Sequence, residues 1–252
     1  MEYCKNIRMF VITHKFVPNI YGSERELLQV GANHIKTNIN LKDSSKPDNI
    51  ANKNAFYCEL TGLYYIWKNV TCNIVSFEHY RRLFSKRKIY FLKFPFINKK
   101  NISKILNSYG WILPRRYLED TTIEEQYAKN HFIDDLSVVR TILYENFPEY
   151  IATFDKVMKS NTMYYYNMFV TTKDNLNCYC EWLFKILNIL ENRIDYINRD
   201  TYQQRVFGFL SERLLNVYIE YNKFKVYECN VEFIQNTKPI KNFMKKVCNK
   251  LG

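Results

Sequence analysis

Short apolar runs alternate with helix-like segments along this chain, and this alternation restricts the possible fold more than any other feature. The run Ile7–Thr13 is rich in β-branched and aromatic residues, as expected of a buried strand. Similar runs follow at 73–77, 111–114 and 164–171. Helical periodicity or helix-start signals mark residues 57–68, 121–146, 176–194 and 205–221. Strands that alternate with helices predict an α/β protein.

The composition favours one packed domain. The 252 residues are 47% hydrophobic and include only 6 glycines, which leaves little sequence for flexible linkers. We therefore predict a single domain over residues 1–235. The 7 cysteines include no CxxC pair, so they are predicted to be reduced. No run of about 18 apolar residues and no signal-peptide pattern occurs, which predicts a cytoplasmic protein without a membrane-spanning helix.

The positive charge of the chain restricts the classes of molecule that it is expected to bind. A net charge of +12 attracts polyanions such as nucleic acid, anionic lipid or phosphorylated small molecules. No nucleic-acid-binding signature is present, so no nucleic-acid partner is expected. A nucleotide-diphosphate substrate together with a membrane surface accounts for the charge equally well. A non-catalytic basic binding module is the alternative, because residues 81–104 carry many basic side chains and no acid.

The last residues, 236–252, are predicted to form a basic amphipathic helix. Its apolar stripe alternates with lysines, a pattern typical of helices that lie in the plane of an anionic membrane. The stripe consists of Ile240, Phe243, Met244, Val247 and Leu251. Two interpretations remain open: residues 239–251 bind the inner face of the cytoplasmic membrane, or they dock on the protein core.

Polar groups follow the first two predicted strands where ligands of α/β proteins bind. Thr13, His14 and Lys15 end the first strand, and the segment Glu78-His79-Tyr80-Arg81-Arg82 follows the second. Two adjacent arginines can hold a diphosphate through forked, charge-assisted hydrogen bonds. The same segment could also be an ordinary basic loop. A second polar group precedes or lies on the 57–68 helix: Asp48, Asn49, Lys53, Asn54, Glu59, Thr61, Tyr65 and Lys68.

A carboxylate lies on an otherwise apolar predicted helix. Glu212 is followed by Arg213, and this pair is either a structural ion pair or a general base with a neighbouring cation. Asp134 and Asp135 are weaker candidates for the base. Motifs of other enzyme classes are missing, namely GxGxxG, GxxxxGK[ST], GxSxG and HExxH. The four histidines show no metal-ligand spacing.

Seven ordered groups resemble the DUF4422 family of bacterial capsule and O-antigen glycosyltransferases. They are Asp48-Asn49-Ile50 with Lys53-Asn54, Glu59-Leu60-Thr61, Tyr64-Tyr65-Ile66-Trp67-Lys68-Asn69, His79-Tyr80-Arg81-Arg82, Tyr166-Asn167-Met168-Phe169, Glu181-Trp182-Leu183-Phe184, and Ser211-Glu212-Arg213-Leu214-Leu215-Asn216. The resemblance covers roughly residues 7–220. It implies a GT-A-like fold, a Rossmann-type sheet flanked by helices that binds a nucleotide sugar.

The resemblance also implies an activity and roles for residues. Members with an assigned function are similar to inverting β-galactofuranosyltransferases that use UDP-galactofuranose to extend a capsule or lipopolysaccharide glycan. By this likeness both polar groups, the one after the strands and the one around the 57–68 helix, bind the donor. Asn167, Met168 and Arg213 contact the sugar or acceptor, and Glu212 is the base. A pyranose donor such as UDP-galactose or UDP-glucose is the alternative.

One departure concerns the metal. Most GT-A enzymes carry an Asp-x-Asp motif that holds Mn²⁺ or Mg²⁺ on the diphosphate, whereas this chain has Glu78-His79-Tyr80-Arg81-Arg82 at that place. Either Glu78 and His79 hold a metal weakly, or Arg81 and Arg82 replace its charge. The second interpretation is slightly favoured.

Overall fold

The structure is a computed structural model that describes residues 6–15, 17, 21–31, 37–86 and 96–234. The strands are Ile7–Thr13 (β1), Arg25–Gln29 (β2), Ile74–His79 (β3), Arg82–Ser85 (β4), Trp111–Pro114 (β5), Tyr117–Leu118 (β6), Thr162–Met163 (β7), Phe169–Thr172 (β8) and Val226–Phe233 (β9). The α-helices are Asn54–Tyr57 (α1), Leu60–Asn69 (α2), Lys99–Leu106 (α3), Ile123–Asn130 (α4), Asp134–Asn146 (α5), Ile151–Met158 (α6), Lys173–Glu191 (α7) and Val206–Tyr221 (α8).

Strand β1 lies between two parallel neighbours, β2 and β3. The sheet continues from β3 through antiparallel β8 to β5 and then to β9, which runs parallel to β5. β9 pairs with β4, and β4 joins β3 through a tight turn in which His79 is paired with Arg82. The carboxyl ends of β1 and β3 therefore lie side by side at one edge of the sheet, which is where α/β folds bind ligands.

Alternating side chains of β1 bury on opposite faces of the sheet, as the two-residue period of a strand requires. Phe10 and Ile12 belong to the larger apolar cluster, which is formed with α2, α5, α7 and α8. Ile7 and Met9 belong to a smaller cluster on the other face, formed with α3. Both faces of the central strands are covered, which explains why β1 and β3 read as nearly continuous apolar runs.

Several predicted elements are confirmed, and others end differently. The first strand, 7–13, and the strand 111–114 have their predicted bounds. The predicted helix 121–146 is two helices, because the chain leaves helical geometry at His131 before α5 begins. The predicted strand 164–171 begins only at Phe169, since Tyr166 and Asn167 have positive φ angles of 82° and 48°. β2, β4, β9, α3 and α6 were not predicted.

The predicted tail helix, 236–252, lies outside the described residues. Among the helices of the described part of the chain, none is long and apolar enough to cross a membrane.

Candidate active-site cleft

A cleft of about 670 Å³ opens at the carboxyl ends of β1 and β3. One wall is made by the strand ends and the turn between β3 and β4, and the facing wall by the first half of α8. The segment around Tyr166 closes the space between them. Ten of the residues predicted from the sequence to form the site line this cleft: Thr13, His14, Asn54, Glu59, His79, Tyr80, Arg81, Arg82, Glu212 and Arg213.

The strand ends give one end of the cleft a positive charge. Two cations lie near the Tyr80 ring: the Lys15 ammonium is 5.2 Å from its centroid, and the Arg81 guanidinium is 5.3 Å from it. The His14 ring meets the same tyrosine edge-on at 5.2 Å. Burial and the neighbouring Lys15 and Arg81 charges lower the pKa of His14. Concentrated positive charge of this kind favours an anionic ligand.

Arg82 lies against two aromatic rings that are perpendicular to each other. Its guanidinium lies 4.4 Å from the Tyr166 ring centroid and 5.6 Å from that of Phe233. Its Nε is buried and has no hydrogen-bond partner in the described part of the chain. A buried donor without a partner is costly. The residue as a whole is only partly buried, and a guanidinium is a forked donor suited to phosphate.

The Tyr166–Asn167 turn is the most constrained part of the cleft. Both residues adopt the left-handed backbone region, which side chains other than glycine and asparagine disfavour. His79 Nε2 donates to the Tyr166 carbonyl oxygen at 2.7 Å, which places the ring proton on Nε2. The Tyr166 N–H donates to Glu212 Oε1 at 2.8 Å. The turn thus binds a histidine from β3 and a carboxylate from α8.

The Asn167 side chain fixes the same turn from behind. Its Nδ2 donates to Glu59 Oε1 at 2.7 Å and to Ser211 Oγ at 2.9 Å, and it lies 3.2 Å from the Gly208 carbonyl oxygen. Asn167 is buried, so it positions Glu59 and does not itself face the cleft.

Glu212 is largely buried, but its side chain remains accessible from the cleft. Its side chain keeps 20% of its surface exposed, and its Oε2 accepts from Arg213 Nη1 at 3.2 Å. Burial raises the pKa of Glu212; Arg213 opposes this shift, and the Glu59 charge adds to it. A carboxylate that is half desolvated and still reachable has the properties of a general base. The pKa of His79 is lowered, chiefly by burial, which keeps its ring neutral.

Like Asn167, which was predicted to contact the sugar or acceptor, three further predicted residues are tied into the fold and do not line the cleft, contrary to expectation. Glu78 is 0% exposed and paired with Arg25 at 2.8 Å, and it also accepts from the Phe84 N–H, so it is not free to bind a metal or a donor. Asp135 is buried and accepts two hydrogen bonds from Arg199, each 2.7 Å long. Met168 is buried in the smaller apolar cluster on the opposite face of the sheet.

The predicted polar group around the 57–68 helix is split. Asn54 and Glu59 reach the cleft, whereas Thr61 is buried against Asp43 and Tyr65 is buried in the core. The other members do not line the cleft and contact neighbouring side chains or backbone. Asp48 accepts from Tyr64, Asn49 binds the Lys46 carbonyl oxygen, Lys53 pairs with Glu191, and Lys68 lies over Trp67.

Sequence reasoning missed one side of the cleft. Gln126, His131, Tyr165, Tyr202, Arg205 and Phe209 line it without having been predicted. They come from α4 and its end, from the segment between β7 and β8, and from the start of α8 and the segment before it, and they share no short motif. The helix break at His131 is a local event that the periodicity of 121–146 hides.

No group of three or more potential metal-ligating side chains occurs in residues 6–15, 17, 21–31, 37–86 and 96–234. In the predicted metal position, Glu78 is engaged by Arg25 and His79 Nε2 by the Tyr166 carbonyl. The residues described therefore do not fit a metal centre at this place.

The comparisons with known proteins agree with the fold. Residues 8–223 match the family described as "Domain of unknown function (DUF4422)", and the chain belongs to this family. The chain is also similar to the apo structure of WbbM, a bifunctional glycosyltransferase, with a TM-score of 0.83 and 29% identity. The similarity covers 92% of this chain and 46% of WbbM, so the chain spans about half of that protein. No curated protein matches the chain. The predictions of the family and of a GT-A-like α/β fold are confirmed.

The Asn167 turn gives a test of this geometry. Asn167→Gly keeps the left-handed backbone and loses the side-chain hydrogen bonds, whereas Asn167→Ala loses both. We expect Asn167→Gly to lower the free energy of unfolding by about 2 kcal/mol, and Asn167→Ala by about 1 kcal/mol more. Urea unfolding of both variants measures this difference. Equal stability of the two variants would show that the backbone at Asn167 is unstrained.

Proposed function

We propose that this chain is an inverting glycosyltransferase that takes galactofuranose from UDP-galactofuranose and adds it to a growing capsule or lipopolysaccharide glycan. The observation that carries the proposal is one cleft lined by both an arginine pair, Arg81 and Arg82, and a partly buried carboxylate, Glu212. The similarity of 92% of the chain to a bifunctional glycosyltransferase supports it.

The positive end of the cleft binds the diphosphate of the donor in this proposal. Arg82 is oriented by Tyr166 and Phe233 and has a donor without a partner, and Arg81 is exposed beside it. Charge that develops on departing UDP is stabilised by donors that are already in place. Thr13 and His14, at the end of β1, lie where the nucleoside would continue from the diphosphate.

Glu212 acts as the general base. The acceptor hydroxyl gives its proton to Glu212 while its oxygen attacks the anomeric carbon, and the bond from that carbon to the UDP oxygen breaks with its electron pair leaving on UDP. Glu212 Oε1 accepts a hydrogen bond from the Tyr166 N–H and Oε2 accepts one from Arg213, and each oxygen retains a further lone pair for the acceptor. This single displacement inverts the anomeric configuration.

We propose that the arginine pair, and not Mn²⁺ or Mg²⁺, neutralises the leaving diphosphate. The proposal is supported by the buried Arg25–Glu78 pair, which occupies the carboxylate that a metal would need. Two guanidinium groups supply forked donors and positive charge of the kind a phosphate prefers.

Residues 239–251 are proposed to hold the enzyme at the inner face of the cytoplasmic membrane, near a lipid-linked acceptor. The support is their sequence pattern of an apolar stripe flanked by lysines.

Removal of the guanidinium of Arg82 should weaken binding of UDP much more than binding of uridine. We expect Arg82→Ala to lower UDP affinity by roughly tenfold to a hundredfold, because charge-assisted hydrogen bonds to phosphate are lost. Isothermal titration with both ligands in excess EDTA measures the effect. The matched control is Arg140→Ala, an exposed arginine paired with Asp155. Equal weakening of uridine would argue against a phosphate contact, and loss of UDP binding in EDTA by the unmodified protein would argue for a metal.

Glu212→Gln should lower kcat by about 10²–10⁴-fold while UDP affinity is retained, since glutamine keeps an oxygen for the Tyr166 N–H but cannot take a proton. UDP release from a set of UDP-sugars, with UDP-galactofuranose, UDP-galactose and UDP-glucose, measures turnover and donor preference. Glu124→Gln, an exposed position on α4, is the control. Unchanged kcat in Glu212→Gln would remove Glu212 from the mechanism.

The pH profile gives a second readout of the same residue. A base must be deprotonated, so kcat/KM should fall as pH drops through the pKa of Glu212. Burial raises this pKa above the ordinary 4.5, so the acid limb of the profile should lie at higher pH than for an exposed glutamate. The limb should vanish in Glu212→Gln. Persistence of the limb in that variant would assign it to another group.

Deletion of residues 239–252 should weaken sedimentation of the protein with vesicles that contain anionic lipid, because the lysine charges and the apolar stripe are lost together. Vesicles of neutral lipid serve as the comparison. Vesicle binding that survives the deletion would place the segment on the protein core.

A further inference from the structure

The wall of the cleft on the α4–α8 side carries a stack of aromatic rings. The His131 ring lies 4.0 Å from that of Phe209 and 5.8 Å from that of Tyr202, nearly parallel to both at 26° and 20°. The Tyr202 and Phe209 rings are 5.1 Å apart. All three residues line the cleft. We refer to Tyr202, His131 and Phe209 as the aromatic wall.

The aromatic wall is fixed in place by polar contacts behind it. Gln203, next to Tyr202, accepts from His131 Nδ1 at 3.2 Å and donates to the Asn130 carbonyl oxygen at 2.8 Å. The segment before Tyr202 is held by Arg199, which makes two hydrogen bonds of 2.7 Å to buried Asp135. The wall is therefore preorganised, although the Tyr202 ring is 53% exposed.

We propose that the aromatic wall is the acceptor subsite and that the apolar C–H face of the acceptor sugar ring packs on Tyr202. This inference rests on the proposed function and extends it. Flat aromatic faces that are partly exposed and rigid offer apolar contact area to a ligand without an ordering cost.

The aromatic wall could in principle hold either a sugar or the uracil ring of the donor. The position of Glu212 favours the sugar. Phe209 and Glu212 are three residues apart on α8, so they lie on the same face of the helix, one turn apart. The acceptor hydroxyl must reach the base, and a sugar on the aromatic wall is next to Glu212. The nucleoside must instead lie on the far side of the diphosphate, beyond the basic residues at the ends of β1 and β3.

The solvent exposure of the aromatic wall also supports a glycan as its ligand. A nucleotide ends inside the cleft, whereas an acceptor glycan continues out of it. Tyr202 lies at an open edge, and the neighbouring Phe132 is also half-exposed at 51%, with the Arg199 guanidinium 4.6 Å from its ring. The open side of the wall therefore leaves a path for the rest of the acceptor chain.

The test measures acceptor use and UDP binding separately in Tyr202→Ala, Tyr202→Phe and the control Tyr144→Ala, an exposed tyrosine on α5. The full chain is given the fastest of the three UDP-sugars and a panel of octyl glycosides of galactopyranose, glucopyranose, mannopyranose and N-acetylglucosamine. We expect Tyr202→Ala to raise the acceptor KM by about tenfold, with UDP affinity retained. Tyr202→Phe and Tyr144→Ala should keep the KM of the unmodified protein.

Two outcomes would overturn the inference. If Tyr202→Ala weakens UDP as much as the acceptor, the wall holds the nucleoside. If the acceptor KM does not change, the wall holds no sugar.

A second readout does not depend on turnover. Saturation-transfer NMR with the methyl glycosides of the same sugars should show transfer from aromatic protons to the C–H face of at least one sugar in the unmodified protein, and loss of that transfer in Tyr202→Ala. A protein that shows this transfer but releases no UDP from any UDP-sugar would refute the proposed function and leave the sugar site standing. UDP release without any transfer or acceptor effect would refute the sugar site alone.

Discussion

The left-handed turn at Tyr166 and Asn167 is the constraint on which the cleft depends. Its backbone is unfavourable for Tyr166, and the turn persists because groups distant in the sequence hold it. His79 binds its carbonyl oxygen, Glu212 its amide, and Glu59 the Asn167 side chain. These contacts bring β3, α8 and the start of α2 to one point. The turn thereby fixes both carboxylates of the cleft and supplies the ring on which Arg82 rests.

In the proposed mechanism, different elements supply the residues that bind the diphosphate and the residue that acts as base. Arg81 and Arg82 belong to the β3–β4 turn, whereas Glu212 belongs to α8, and Tyr166 contacts residues of both. A transferase needs positive charge on the leaving group and a base on the opposite side of the reacting carbon. In the proposed mechanism these two roles fall to residues that are more than 100 positions apart in the sequence and that meet at Tyr166.

The sequence predicted the strand ends well and the α4–α8 side poorly, for a physical reason. β1 and β3 are buried on both faces, so their apolar runs mark them and their last residues point to the cleft. Asn167 was predicted to lie in a strand, whereas the structure places it in a left-handed turn. The sequence did not reveal this turn, because a left-handed turn leaves no periodic signal. Glu78 and Asp135 were misplaced because a buried ion pair and an exposed carboxylate look the same in a sequence. Their partners, Arg25 and Arg199, lie 53 and 64 residues away.

The buried pair of Arg25 and Glu78 also bears on how such an enzyme can evolve. By the resemblance to GT-A enzymes, Glu78 would correspond to a metal-binding carboxylate, so a change of Arg25 would be expected to free it for a metal. Loss of Arg25 alone, however, would leave an uncompensated buried charge, at a cost of about 3–5 kcal/mol. That is a large part of the stability of an ordinary domain. Because either residue alone would be left as a buried, unpaired charge, Arg25 and Glu78 are expected to change together.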